Sequence, residues 1–185
     1  IGQYSSLNMP FDHSTATASG AWWMLGRSAG TTNEWGLYTR SGGQSNLLSV
    51  WKVVGNSNGT TDYQTFSTGS NSERLRIDSS GHMGLGVTPN ANWPTNNDFK
   101  ALQIGTGACL FGRGSGDEDR GGIAVNWYSD GSNNKYIGNG NAARIYLADG
   151  NIYFSNAAAN SSGANAAMTL TDRMILDSNG DLGLN

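Results

Sequence analysis

Two stretches of the sequence are copies of one motif: ERLRIDSSGHMGLG at residues 73–86 and DRMILDSNGDLGLN at residues 172–185. They align without gaps, and the apolar positions of the first copy remain apolar in the second. A match of this length predicts two tandem modules in the chain. Five positions in each copy are the predicted structural residues of a hairpin. They are Arg74, Ile77, Asp78, Gly81 and Gly84 in the first copy, and Arg173, Leu176, Asp177, Gly180 and Gly183 in the second.

Each copy has the pattern of a β-hairpin. An alternating strand leads to an Asp-Ser-Ser/Asn-Gly connection, and the return strand alternates Gly with large apolar residues. The Asp side chain can accept a hydrogen bond from the turn backbone, and the Gly provides a positive φ. A hairpin alone is only marginally stable in water, so its apolar side needs further strands or copies of itself. The repeat is therefore the first indication of an oligomer.

The composition predicts an all-β fold. The 185 residues include 27 Gly, 21 Asn and 21 Ser, which favour turns over helix interiors. Charged residues make up 14%, well below the roughly 25% of an average soluble domain, so long solvated helices are not expected. The chain is nevertheless 37% hydrophobic and contains six Trp, which is too much apolar surface for a disordered chain.

Short aromatic and β-branched runs, separated by Gly, Asn, Asp and Ser, predict two tandem β-sandwich-like modules, each closed by a β-hairpin. Asp149-Gly150 marks the clearest tight hairpin turn, and Asp130-Gly131 indicates another. The predicted organisation is a first module at residues 1–90 ending in the hairpin 73–86, a Pro-containing linker at 91–98, and a second module at 99–185 ending in the hairpin 172–185.

Charge and cysteine content exclude several classes of partner and site. A net charge of −3 leaves few basic residues to neutralise phosphates, so neither nucleic acid nor an anionic membrane is an expected partner. No stretch approaches the ~20 consecutive apolar residues of a membrane span. Cys109 is the single cysteine and cannot form an intrachain disulfide or a cysteine zinc site. The chain begins with Ile1 rather than Met, so we expect it to be a segment of something longer.

The repeat resembles a known signature. Residues 74–86 resemble the R-M-R-I-D-S-S-G-N-V-G-I-G-T signature that is repeated in bacteriophage tail-fibre and related virion appendage proteins. In the second module, residues 99–105, 135–144 and 150–154 are similar to the K-A-L-Q-I-G, K-Y-I-x-N-G-A-A-x-R and G-N-x-Y-F elements that precede this signature in phage fibres. The resemblance covers most of residues 99–185, whereas the first module resembles the family mainly through its closing motif.

The resemblance implies an elongated, trimeric fibre on a virion. The implied partners are the chain itself as a homotrimer, other virion tail or appendage proteins, and a bacterial surface polysaccharide or protein receptor. Such modules often precede a C-terminal endosialidase-type chaperone that drives trimerisation and is cleaved off. The last copy ends at Asn185 without the final Gly found at Gly86, so we expect the fibre to continue or a cleaved segment to have followed. The resemblance leaves open whether this segment is tip or shaft.

Candidate catalytic groups are few. Gly26-Arg27-Ser28-Ala29-Gly30 matches the G-x-S-x-G pattern, but no helix-forming run follows it. His82 stands where the other copy has Asp181, and this position indicates a surface turn. Asp117, Glu118 and Asp119 offer carboxylates for a cation or for glycoside hydrolysis, but consecutive side chains point in different directions and favour a solvated loop. We therefore predict no catalytic, cofactor or metal site.

The sequence favours a structural and host-attachment role without catalysis. Trp and Tyr rings offer flat apolar faces to sugars, although core packing is the expected fate of most of them. The candidate glycan contacts are Trp22, Trp35, Trp93, Trp127 and Tyr128. Two alternatives remain open. One is a fibre-borne polysaccharide depolymerase or esterase that uses Asp117, Glu118 or Ser28, and the other is a monomeric carbohydrate-binding β-sandwich.

Overall fold

Every regular element among the described residues is a β-strand, which confirms the predicted all-β fold. The structure is a computed structural model, and it describes residues 22–26, 33–40, 48–56, 58, 60–95, 99–114 and 116–185. The chain divides into two compact units, Ile1–Ser79 and Ser80–Asn185. The dividing point lies inside the turn of the first repeat copy, and each unit is described by itself below.

The first unit contains a five-stranded antiparallel sheet in which each strand pairs with the next. Its strands are β1 (Trp22–Gly26), β2 (Glu34–Arg40), β3 (Leu48–Gly55), β4 (Thr61–Thr68) and β5 (Ser72–Asp78). Gly36 allows a close approach of β2 and β3, because a Cβ built there would lie 2.2 Å from the carbonyl oxygen of Trp51. This simple meander follows from the short connections and the alternating strands.

The second unit contains an eight-stranded sheet in the order β6-β7-β8-β9-β12-β13-β14-β15, and β10 and β11 form a separate pair. Neighbours in the eight-stranded sheet are antiparallel except β6 and β7, which are parallel. The strands are β6 (Met83–Leu85), β7 (Phe99–Ile104), β8 (Ala108–Arg113), β9 (Gly121–Val125), β10 (Tyr128–Ser129), β11 (Asn134–Lys135), β12 (Gly140–Ala148), β13 (Asn151–Asn160), β14 (Thr171–Leu176) and β15 (Leu182–Leu184).

The turn between β12 and β13 confirms the tight hairpin predicted at Asp149-Gly150. Ala148 pairs with Asn151, and the two residues between them have φ values of 55° and 78°. Two successive left-handed residues form the type I′ turn that suits the twist of a two-residue hairpin. The Asp130-Gly131 turn is likewise found, between β10 and β11.

An aromatic core covers one face of the eight-stranded sheet. Trp93 stacks on Phe99 with ring centroids 5.4 Å apart, and Phe111 lies 4.5 Å from Trp127. The second layer over this face comes mostly from loops and the β10–β11 pair rather than from a second large sheet. Trp93 belongs to the segment predicted as a linker, yet it is only 2% exposed. Large aromatic side chains from loops thus cover this face of the sheet, as a second sheet does in a sandwich.

Both copies of the repeat contain a β-bulge at the same position. Register shifts occur opposite Phe66/Ser67 in the β4–β5 pair and opposite Phe154/Ser155 in the β13–β14 pair. The extra residues are Arg74 and Arg173, which are equivalent in the repeat. The bulge leaves each of these arginines outside the regular pairing, where it can reach a polar group on the preceding strand.

The hydrogen bonds of the two bulge arginines are also equivalent. Arg74 Nε donates to Thr68 Oγ1 over 2.9 Å, and Arg173 Nε donates to Asn156 Oδ1 over 3.1 Å. The repeated Arg therefore ties the repeat strand to the strand before it. A Phe-Ser dipeptide on the preceding strand is the sequence signal that accompanies each bulge.

The two copies differ at the return strand. In the second copy β14 and β15 pair as an antiparallel ladder, with Leu176 opposite Leu182. In the first copy β5 belongs to the first unit, whereas β6 belongs to the second unit and pairs in parallel with β7.

His82 is buried, so the interpretation of this position as a surface turn is wrong. Its side chain is 1% exposed. Nδ1 accepts a hydrogen bond from the backbone N–H of Ala101 over 3.2 Å, and Nε2 lies 2.8 Å from the carbonyl oxygen of Pro94. These partners assign the neutral tautomer with hydrogen on Nε2. The ring therefore anchors the turn to β7 and to the Trp93 segment.

Candidate functional site

An uninterrupted row of apolar side chains crosses the sheet of the second unit on the face opposite the aromatic core. The row contributes one residue from each of the eight strands, and each residue pairs with the next across the ladder. In strand order it consists of Met83, Leu102, Leu110, Ile123, Ile145, Phe154, Met174 and Leu184. We call this set the apolar row. Directly opposed residues of paired strands project from the same face, so the eight side chains are neighbours.

The apolar row and its flanks are largely uncovered. Nine large hydrophobic residues of the second unit are between 36% and 74% exposed, and each lies on the row or two residues from a member of it. They are Leu85, Ile104, Leu110, Ile123, Val125, Leu147, Leu176, Leu182 and Leu184. Leu184, in the return strand of the repeat, is the most exposed of them at 74%. A contiguous apolar surface of this kind is typical of an interaction site.

A groove of about 530 Å³ runs along this face. Its apolar walls include Leu110, Ile123, Val125 and Phe154, and Arg173 lies at one side. The strands position these residues because alternate side chains point to opposite faces, and the intervening ones, such as Cys109 and Ala124, are buried in the core. The groove is therefore shaped to receive apolar side chains.

The first unit carries an equivalent row. One apolar residue from each of its five strands is paired with the next, in the order Leu25, Leu37, Trp51, Phe66 and Leu75. Leu75 and Met174 are equivalent positions of the repeat, so the two rows pass through the same place in the motif. Sequence reasoning missed both rows, because strand register has to be known before residues on different strands can be aligned.

Most of the predicted glycan contacts are core residues. Trp93, Trp127 and Tyr128 are each 2% exposed. The indole of Trp127 donates to Asn134 Oδ1 over 2.8 Å, and the Tyr128 hydroxyl donates to Asn165 Oδ1 over 2.8 Å. This burial argues against their ring faces being free to hold a sugar.

The two remaining glycan candidates lie in the first unit. Trp35 on β2 is 43% exposed and meets Trp51 edge-on with ring centroids 5.6 Å apart. Glycan contact at Trp35 stays a prediction. Trp22 lies on β1, but its side chain is outside the part that the structure describes.

Two of the candidate carboxylates, Asp117 and Glu118, have partners in or next to their own loop. Asp117 pairs with Arg113 and with Arg120, each over 3.0 Å. Hydrogen bonds from the backbone N–H groups of Glu118 itself and of Gly116 lower the pKa of the Glu118 carboxyl. A general acid needs a raised pKa, so this environment works against that role. Ser28 lies outside the described residues. Those residues contain no group of three His, Cys, Asp or Glu side chains placed to hold a metal ion.

The turn of the second repeat copy is held by Asp177. Its Oδ1 accepts hydrogen bonds from the backbone N–H groups of Asp181 and Asn179, each over 2.9 Å. These bonds, with that from Asp181 the largest, lower the pKa of the Asp177 carboxyl. Gly180 and the equivalent Gly81 have φ values of 89° and 78°, so both occupy the left-handed region that the motif predicted for Gly.

Comparisons with known proteins give no family assignment: no family model matches the chain, and a search of curated proteins finds no match. Within the described ranges there is also no helix that is long and apolar enough to span a membrane.

Proposed function

We propose that this chain is a structural and host-attachment segment of a bacteriophage tail fibre or related virion appendage, and that it assembles as a homotrimer. In this role it displays several copies of each surface and contacts bacterial surface glycans by multivalent binding. The resemblance of residues 74–86 to the tail-fibre signature gives the assignment to a virion. The apolar row of the second unit is the single observation that carries the proposal of self-assembly.

The energetics favour a large partner for this face. Complete burial of a Leu or Ile side chain contributes about 1.5–3 kcal/mol, so covering the remaining exposed half gives roughly 1 kcal/mol for each residue. Nine such residues give roughly 9 kcal/mol per chain, which is comparable with the ~4–15 kcal/mol that association costs. A partner must therefore cover most of the face at once. In a trimer the other copies do so, because each of them presents the same apolar row.

The apolar character of the row also favours a copy of this chain over a sugar as its occupant. The eight side chains of the row carry no charge, and none offers a hydroxyl, amide or carboxylate to a sugar. Glycan contacts are therefore expected elsewhere on the chain, and the row is assigned to the contact between subunits.

Measuring the mass of the purified chain in solution tests this proposal. We expect light scattering after size exclusion to give three times the chain mass of 19.5 kDa. Ile123→Glu places a charge at the middle of the row, where the side chain is 51% exposed, so the subunit should remain folded but become monomeric. Ser161→Glu adds the same charge at an exposed loop position and should leave the trimer intact.

A wild-type chain that is monomeric at high concentration would refute self-assembly through this face. Tight glycan binding by such a monomer would favour the carbohydrate-binding alternative instead. Binding of the trimer to host cells, compared with binding by the Ile123→Glu monomer, tests the attachment role, because multivalent binding should be lost with the assembly.

A further inference from the structure

A second cavity of the Ser80–Asn185 unit lies on the core side of the sheet, opposite the apolar row. Its volume is about 140 Å³. Aromatic side chains, including Phe111, Trp127 and Tyr146, form much of its wall, and Arg113 and Arg144 supply positive charge. Apolar and aromatic walls with a few charged groups are the usual lining of a ligand site, and the positive charge here favours a small anionic group.

Arg144 is the unusual residue of this cavity. Its Cζ lies 4.4 Å from the ring centroid of Tyr146 and 5.8 Å from that of Trp127. Its Nε is buried and has no hydrogen-bond partner. Burial lowers the pKa of Arg144, while the charges of Tyr146 and Asp172 act in the opposite direction. A guanidinium nevertheless stays protonated in a protein, so the side chain brings a half-buried positive charge to the cavity.

The charge of Arg144 is not matched by an ion pair. Six ion pairs are found within the described residues, and none of them includes Arg144. The other arginine of the cavity, Arg113, is paired with Asp117 over 3.0 Å. Asp172 accepts a hydrogen bond from Ser155 Oγ over 2.6 Å. A half-buried cation without a direct ion-pair partner is only partly compensated by the charge of Asp172, and an incoming oxyanion would complete that compensation.

The size and shape of the cavity limit the anion. At about 30 Å³ for each water, the cavity holds roughly five water molecules, which is enough for a carboxylate and part of one sugar ring but not for an oligosaccharide. A planar guanidinium can donate two parallel hydrogen bonds to a carboxylate. Trp127 and Phe111 are 2% and 5% exposed, and the Tyr146 ring is stacked with Phe111 and has the Arg144 guanidinium over it, so these rings enclose the cavity rather than offer a free face to a sugar ring.

We propose that this cavity binds the carboxylate end of an acidic sugar residue, with Arg144 as the residue that recognises the carboxylate. The inference rests on the proposed function in one respect, namely that the sugar belongs to a bacterial surface glycan. The anion site itself follows from the geometry of the second unit alone.

Calorimetric titration of the whole chain with monosaccharides tests the site. Glucuronic acid should bind saturably, and glucose, which has the same ring without the carboxylate, should bind at least about tenfold more weakly because the charge-assisted hydrogen bonds are lost. Arg144→Gln should weaken the binding of glucuronic acid by at least about tenfold and leave the weak binding of glucose unchanged. Arg74→Gln removes the same charge from a residue that does not line the cavity, and should bind glucuronic acid as the wild type does.

A second variant keeps the test valid if Arg144→Gln does not fold. Arg144→Lys retains the charge but cannot donate two parallel hydrogen bonds, so binding of glucuronic acid should be weaker than in the wild type, whereas the weak binding of glucose should be unchanged. The comparison of glucuronic acid with glucose uses the wild-type protein and needs no variant.

Three outcomes would overturn the proposal. These are equal binding of glucuronic acid and glucose, no saturable binding of glucuronic acid, and unchanged affinity in folded Arg144→Gln. Inorganic phosphate provides a further arm: if phosphate binds as tightly as glucuronic acid, the cavity is a general anion site and the assignment to an acidic sugar is wrong. Adsorption to host cells without glucuronic acid binding would contradict only the cavity, whereas glucuronic acid binding without adsorption would contradict only the attachment role.

Discussion

The buried His82 provides the sharpest test of how the second unit is held together. His82→Ala removes a ring that lies 6.4 Å from the Trp93 ring and 6.3 Å from the Phe99 ring, measured between centroids. It also leaves the N–H of Ala101 and the carbonyl of Pro94 without these hydrogen bonds. An unsatisfied buried group costs about 1–3 kcal/mol, and the cavity left by the ring adds to that cost.

We therefore expect His82→Ala to lower the free energy of unfolding of the second unit by about 3–5 kcal/mol. Urea unfolding followed by tryptophan fluorescence measures this, because Trp93 and Trp127 are both in the core of that unit. The matched control is Asp181→Ala at the equivalent position of the second repeat copy. Asp181 is exposed, so its loss should change stability by less than about 0.5 kcal/mol.

Comparing these two variants tests whether His82 holds the turn in place. If His82→Ala and Asp181→Ala are equally stable, His82 does not anchor the turn as its hydrogen bonds indicate. A large decrease in the free energy of unfolding of Asp181→Ala would contradict the different environments of the two copies.

Two further predictions use the same unit. Gly84→Ala should lower the free energy of unfolding by about 3 kcal/mol or more, because the new Cβ would lie 2.0 Å from the carbonyl oxygen of Val87. Gly183→Ala should be tolerated, because the nearest atom, the carbonyl oxygen of Ile175, is 3.9 Å away. Equal melting temperatures of the two variants would contradict this contrast. Burial raises the pKa of the Cys109 thiol to about 12, so at about pH 8.5, where a free cysteine is half ionised, the native protein should not react with a disulfide reagent and the urea-unfolded protein should. Rapid labelling of the native thiol would show that this core opens.

Local signals in the sequence were sufficient for the strand content and for two of the turns. The abundance of Gly, Asn and Ser and the alternating runs predicted the all-β fold, and Asp149-Gly150 predicted a two-residue hairpin. Both predictions depend on preferences of neighbouring residues, which a single sequence contains.

Features that depend on distant parts of the chain could not be predicted in the same way. His82 and Asp181 occupy the same place in the repeat, but His82 is buried because it meets Pro94 and Ala101, which lie outside the motif. Trp127 is of a residue type that suits contact with sugars, yet its ring is covered by Phe111 and Trp93. Repeated residues fix a local conformation, whereas burial depends on what folds over them.

The two proposed surfaces are compatible because they use opposite faces of one sheet. Arg144 and Ile145 are consecutive residues of β12, so their side chains point to opposite sides. A copy of the chain seated on the apolar row would contact the side of Ile145 and leave the side of Arg144 uncovered. Each subunit of the trimer would then retain its own anion cavity. Weak binding of single acidic sugars is sufficient for attachment under this arrangement, since three linked cavities on a repetitive polysaccharide raise the effective concentration for each later contact.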